Sequence, residues 1–222
     1  MSTDHSPAPG SAPLILFGGT FDPVHRAHIS VARHVAALFK APVRLMPNAT
    51  PPHRAPTRAP AGERLAMLHL ACANHPELVV DDRELRRSGP SFTIDTLRAL
   101  RTEQPERPLM LLIGADSLAS FHRWHRWQDY PALCHLIVAP RPGVAAPALA
   151  VQQAFPQADV PLLLARPAGH RLMLDQPWLD ISATALRTAL AKGGDCSALD
   201  PTVLKHIRRH GLYTVATSAD HN

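Results

Sequence analysis

The sequence predicts an α/β fold built on a doubly wound parallel sheet. Short apolar runs recur along the chain, each continuously apolar and not alternating, and stretches of helical period separate them. A strand covered on both faces requires the first property. Strand and helix taking turns requires right-handed crossovers between parallel neighbours.

The elements follow in order. Residues 1–13 carry three prolines and neither the basic nor the apolar region of a signal peptide, and are expected to be a disordered tail. Leu14–Phe17 is the first strand. Ile29, Ala32, Ala36 and Phe39 then fall on one helical face. Val43–Met46 is the second strand, and the Pro-rich stretch 47–60 a loop over the sheet edge. Leu65, Leu68, Ala71 and Cys72 mark a second helix, Leu78–Val80 a third strand, and Ile94, Leu97 and Leu100 a third helix. Leu109–Ile113 and Leu136–Ala139 are strands, 139–150 a second Pro-rich loop, and Leu162–Ala165 the sixth strand. Two helices close the chain. "DISATALRTALAKGG" (180–194) has a Ser/Thr start and a Gly stop. "DPTVLKHIRRHG" (200–211) opens on Asp-Pro and stops at Gly211. One domain over 14–213, with a short tail over 214–222, accounts for the pattern.

Composition narrows the function. A chain of 222 residues is long enough for one domain burying roughly 70% of its unfolded surface. No stretch approaches the ~18 apolar residues that span a membrane. Cys72, Cys134 and Cys196 are far apart and odd in number, which favours a reducing cytoplasm over a disulfide frame or a cysteine metal site. The net charge of +5 and pI near 9.6 point to anionic partners. The arginines are scattered, however, with "KHIRRH" (205–210) the one tight basic cluster. Aromatics are 5% and do not interleave with basic runs, so no stacking platform for nucleic acid is expected.

Chemistry concentrates at "PLILFGGTFDPVHRAH" (13–28). Gly18 and Gly19 end the first strand, where ligands of doubly wound sheets bind and where glycine allows a sharp turn and close approach of phosphate. Pro23 suits a first helical turn. His25 and His28 follow on one face at the positive end of the helix dipole. With 14 histidines in the chain, chance alone supplies about one His-x-x-His pair. A second pair, His122 and His125, does occur, and His206 and His210 form an i, i+4 pair of zinc-motif spacing. Spacing alone therefore carries nothing; context lifts the first pair. The familiar phosphate loops GxxxxGK[ST] and GxGxxG are absent.

"GGTFDPVHRAH" resembles the first signature of the HxGH-type nucleotidyltransferase superfamily, and "ISATALR" (181–187) resembles its second, ISSTxxR. With "PPHR" (51–54), "SFTIDTL" (91–97), "LLIGADSLASFHRW" (111–124) and "RPG" (141–143), the set is similar to the nicotinate-nucleotide adenylyltransferase family over residues 14 to about 213. The resemblance implies a Rossmann-like nucleotidyltransferase fold with C-terminal helices. It also implies transfer of the adenylyl group of ATP to nicotinate mononucleotide in NAD biosynthesis. It places His25, His28 and Arg187 on the ATP phosphates, and Gly18, Gly19, Thr20, Gly114, Asp116, Ser182 and Thr184 around ATP. His53, Arg54, Thr93, Trp124 and His125 fall to the mononucleotide. Mg²⁺ would arrive on the triphosphate, with no dedicated protein cage and no residue assigned as a metal ligand. Three positions depart from the pattern: Ala27 between the histidines, Ala183 for a serine, and Phe92 where tyrosine is common. Other readings stay open: a same-fold enzyme preferring nicotinamide mononucleotide or another phosphate acceptor, and, more distantly, a basic nucleic-acid- or metal-binding protein. Oligomeric state is undecided.

Overall fold

In the computed structural model, which describes residues 12–49, 57–87, 92–175 and 179–214, six strands form one sheet. They are β1 (Leu14–Gly19), β2 (Val43–Pro47), β3 (Leu78–Val80), β4 (Leu109–Gly114), β5 (His135–Ala139) and β6 (Arg171–Met173). Their spatial order is 3-2-1-4-5-6, and every pairing is parallel. Strand order reverses between β1 and β4, which lie side by side with Leu14 opposite Leu109. The crevice beyond the carboxyl ends of these two strands is the ligand position of such sheets.

The uninterrupted apolar runs have the expected cause. Ile15 and Phe17, Val43 and Leu45, and Met110 and Leu112 face one core layer. Leu14 and Leu16, Leu109 and Leu111, and Leu136 and Val138 face the other. Helices α1 (Arg26–Phe39) and α2 (Ala61–Cys72) cover the first side, with α7 (Ala183–Lys192) and α8 (Pro201–Arg209). Helix α3 (Thr93–Glu103) covers the second, with the short α4 (Ala115–Ala119) and α5 (Leu149–Ala154). Ala32, Val35, Ala36 and Phe39 are the buried stripe of α1. Both closing helices are capped as their sequences predict: the Ser182 hydroxyl accepts from Ala185 N–H and Gly193 takes the left-handed stop. At α8, the Asp200 carboxylate accepts from Thr202 N–H.

Three expectations are corrected. Residues 162–165 are not a strand but part of helix α6 (Val160–Ala165). Asp159 caps it, its carboxylate accepting from Leu162 N–H at 3.0 Å, and Pro161 fits the first turn while lacking a donor for a ladder. Of its leucines Leu163 alone is buried, so the run has one covered face, not two. The sixth strand is Arg171–Met173. The second Pro-rich stretch ends early, since Leu149 already opens α5. Pro23 precedes α1, joined to Asp22 by a cis peptide, and His25 is the cap of that helix. Of the expected N-terminal tail, Pro13 is buried and the Ala12 carbonyl accepts from Arg107 Nε at 2.6 Å.

Candidate active site

Beyond β1 and β4 opens a cleft of about 880 Å³. Its floor is the corner that follows β1. Gly18 and Gly19 remain in the strand, and the turn comes two residues later at Phe21, whose φ is +49°. Gly19 therefore serves space and not the turn. A Cβ on Gly19 would lie 2.9 Å from the Phe21 ring, whereas one on Gly18 would meet nothing closer than 3.8 Å.

The corner is braced from three directions. The Asp22 carboxylate accepts from Arg58 N–H at 2.8 Å, Ala59 N–H at 3.1 Å and the Tyr213 hydroxyl at 2.7 Å. From beneath, Arg64 of α2 is wholly buried. Its guanidinium donates to the carbonyls of Thr20 at 2.7 Å, Asn48 at 2.8 Å and Ala49 at 3.1 Å. Neither bracing residue was assigned a role from sequence. Arg64 had a signal, for it occupies the position that Met67, Leu68 and Ala71 continue at i+3, i+4 and i+7. A cation on an apolar stripe is rarely buried unless it is bonded.

His25 caps α1 and His28 lies in its first turn, their rings stacked at 3.7 Å between centroids. His28 Nδ1 accepts from His25 N–H at 3.3 Å, which puts the proton of a neutral ring on Nε2. Burial pushes His25 down to about 4. His28 is held well below the usual imidazole range, by burial and then by the repulsion between the two rings when both are protonated. At neutral pH both rings are uncharged donors and acceptors. Burial likewise brings His135 of β5 down to about 4, where Nε2 meets the Arg166 carbonyl at 2.8 Å and Nδ1 accepts from His170 N–H at 3.1 Å.

In the unfolded chain these imidazoles titrate near 6.5. Between that value and about 4 the unfolded state binds protons that folded His25 and His135 refuse. Their contribution to stability is full above about 6.5 and is lost as pH falls towards 4. Thermal unfolding scanned from neutral pH downward should show Tm falling through that window; a flat Tm would contradict the burial of both rings.

Arg187 reaches the same corner from 165 positions away in sequence: Nη1 donates to the Asp22 carbonyl at 2.8 Å and Nη2 to Thr184 Oγ1 at 3.0 Å. Thr184 thus holds the arginine, and Ser182, as the cap of α7, has its oxygen engaged by the helix. On the other wall, Gly114 ends β4 and Asp116 stands exposed in the first turn of α4. Arg141 bridges Asp116 Oδ2 at 3.1 Å and Asp180 Oδ1 at 2.8 Å, a tie that sequence spacing could not reveal.

Thr93, first residue of α3, lines the far end of the cleft with Trp124 and His125. Trp124 is half-buried, its ring 4.8 Å from Phe121 and 5.8 Å from Tyr130. The exposed His125 ring lies on Phe92 at 4.4 Å. The cleft therefore brings together His25, His28, Thr20, Gly114, Asp116, Ser182, Thr184, Arg187, Thr93, Trp124 and His125. His53 and Arg54 lie outside the described residues. His122 is exposed and is not among the lining residues. Among the described residues, the cleft is lined by Arg187 and the two histidines at the β1 corner and by the rings of Phe92, Trp124 and His125 elsewhere.

Comparison with known proteins identifies the family. A model of the cytidylyltransferase-like family matches residues 16–189. The chain is 49% identical over 209 residues to a Laribacter hongkongensis protein named "Probable nicotinate-nucleotide adenylyltransferase", covering 89% of this chain and 93% of that one. It is 45% identical to an Aeromonas hydrophila protein of the same name, covering 92% and 98%. Among solved structures it is similar to Plasmodium falciparum nicotinic acid mononucleotide adenylyltransferase complexed with NaAD, with a TM-score of 0.71, 17% identity and coverage of 91% and 98%.

Proposed function

The chain belongs to the cytidylyltransferase-like family and, within it, to the nicotinate-nucleotide adenylyltransferases, and from that premise we propose how this cleft works. The phosphate of nicotinate mononucleotide attacks the α-phosphorus of ATP, the bond to the β-phosphate oxygen breaks, and deamido-NAD and pyrophosphate result. The observation that carries the reading is the meeting of His25, His28 and Arg187 at the strand-order reversal, opposite an aromatic wall.

A phosphate monoester is mostly dianionic at neutral pH, so the nucleophile needs no base. Catalysis is then positioning together with neutralisation of charge that builds on the transferring and leaving phosphoryl groups. Arg187 supplies the fixed positive charge, its fork held by Asp22 and Thr184 and matched to phosphate oxygens. His25 and His28 contribute hydrogen bonds, and an entering triphosphate favours their protonated forms. Gly18, Gly19 and Thr20 line the phosphate side of the cleft, Asp116 offers Oδ1 to ribose hydroxyls, and Ser182 keeps its hydroxyl proton for a phosphate oxygen. At the far end Trp124 stacks on the pyridine ring. Thr93 and the His125 main chain take its carboxylate, and the family resemblance gives the acceptor phosphate to His53 and Arg54, which lie outside the described residues.

Mg²⁺ enters as part of the Mg·ATP substrate. The carboxylates lining the cleft among the described residues are Asp22, bonded on both oxygens, and Asp116, paired with Arg141. That is no cage, and an octahedral ion keeping its waters and phosphate ligands fits it. No helix of the described residues is long and apolar enough to cross a membrane. The three cysteines are free and buried, which supports a reducing cytoplasm.

The test is product identity. Incubation with Mg·ATP and nicotinate mononucleotide should give a dinucleotide whose mass equals the mononucleotide plus an adenylyl group, with one pyrophosphate per dinucleotide. Hydrolysis of ATP to ADP without that product would overturn the proposal.

A further inference from the structure

The i, i+4 pair His206 and His210 gains a partner that spacing could not show. Helix α8 packs on α2, which brings Glu63, distant by 143 positions, against both rings. Glu63 Oε2 lies 2.7 Å from His206 Nε2, and Glu63 Oε1 lies 3.2 Å from His210 Nδ1. The rings stack at 4.2 Å and 22°, so one edge of each faces the same carboxylate. One ligand atom from each residue lies within 4.8 Å of the other two. Tetrahedral Zn²⁺, with bonds of about 2.0–2.2 Å, sets its ligand atoms about 3.3 Å apart, so small side-chain movements suffice.

We propose that Glu63, His206 and His210 form a binding site for a divalent transition-metal cation of the Zn²⁺ class, which pins α8 to α2. Two imidazoles and one carboxylate suit that class and not Mg²⁺ or Ca²⁺, which take oxygen ligands. Three protein ligands leave a fourth position for water. Side-chain exposures of 15% for His206, 27% for Glu63 and 40% for His210 leave the site open to entry from solvent. Binding displaces the Nε2 proton that His206 now directs at Glu63; a neutral ring re-sites it on Nδ1, and a charged ring releases it to solvent.

The site lies away from the reaction cleft, yet both helices it joins brace the corner. Arg64 follows Glu63 directly in α2 and holds the Thr20 and Asn48 carbonyls. Tyr213 follows α8 and donates to Asp22. A cation here is a staple on those supports and takes no part in the chemistry.

The experiment uses the whole protein, stripped with a chelator and titrated with Co²⁺ and with Zn²⁺. The expected result is one equivalent of Co²⁺ developing four-coordinate visible absorption, displaced by Zn²⁺ and not by excess Mg²⁺, together with a Zn²⁺-dependent rise in Tm. Glu63→Gln, His206→Gln and His210→Gln should each weaken Zn²⁺ binding at least tenfold and as much as about 100-fold. The exposed His122→Gln should leave binding unchanged. His210 is the most exposed of the three, so His210→Gln provides a folded variant if Glu63→Gln does not, and metal-free Tm values verify the fold of each. Absence of saturable Co²⁺ binding by wild-type protein would establish a plain ion pair between helices. Undiminished binding by the three variants would place the metal elsewhere. Either overturns the proposal, and neither bears on the adenylyl transfer reaction.

Discussion

Replacing Arg187 with alanine is expected to lower kcat/KM for adenylyl transfer about a thousandfold, roughly 4 kcal/mol of transition-state stabilisation. Two of its donors are committed to Asp22 and Thr184, which fixes the plane of the guanidinium and leaves further N–H groups for phosphate oxygens. The charge it would neutralise grows as the bond to pyrophosphate breaks, so most of the loss belongs in kcat. Since His25 is pushed down to about 4, the histidines cannot replace this positive charge in the empty site at neutral pH. Arg187→Lys should recover only part of the loss, because an ammonium offers a point charge where a fork is needed. Thr184 is exposed and Asp22 borders the open cleft, so Tm should change little. Steady-state kinetics beside a melting curve separates the two effects; an Arg187→Ala enzyme of near wild-type kcat would remove it from the chemistry.

Arg64→Met is expected to act on the fold first, costing about 3–5 kcal/mol. The guanidinium is fully buried and satisfies three carbonyls, of Thr20, Asn48 and Ala49. Methionine fills much of the volume but donates nothing, so three acceptors lose their partner, at about 1–3 kcal/mol for each one left dry. Relief of the buried charge offsets part of that sum, since burial already lowers the Arg64 pKa. Against a typical stability of about 5–15 kcal/mol the remainder is large. Urea unfolding should show a lower midpoint with an unchanged slope. Activity should fall too, for Thr20 and Asn48 flank the glycine corner. A variant as stable as wild type would mean that water or another donor serves those carbonyls.

The sheet was legible because its strands are buried on both faces and say so by unbroken apolarity. That same rule misled at Leu162–Ala165, where an apolar run is too short to reveal its period. The deciding features were Asp159 as cap and Pro161 without a donor. At the corner, the two glycines marked the place but not its mechanism. The left-handed residue is Phe21, and no local preference announces a phenylalanine there. Arg187 could be tied to the site by its motif, whereas the Asp22 carbonyl that holds it could not. The bridge from Arg141 to Asp116 and Asp180, the bond from Tyr213 to Asp22 and the meeting of Glu63 with two histidines join distant segments. Long-range pairs of this kind leave no periodic trace in a single sequence. The glycine-to-histidine spacing did leave one, because a short loop entering a helix fixes its geometry locally.

The central claim is adenylyl transfer to nicotinate mononucleotide at this corner, and acceptor choice tests it most directly. Pyrophosphate release would be measured with Mg·ATP and, separately, nicotinate mononucleotide, nicotinamide mononucleotide, pantetheine phosphate or no acceptor. The nicotinate form should be turned over far faster than the other two, with negligible release when no acceptor is present. Equal rates with both pyridine nucleotides would remove the carboxylate role given to Thr93 and His125. Silence with every acceptor, from protein that melts cooperatively, would contradict the account as a whole.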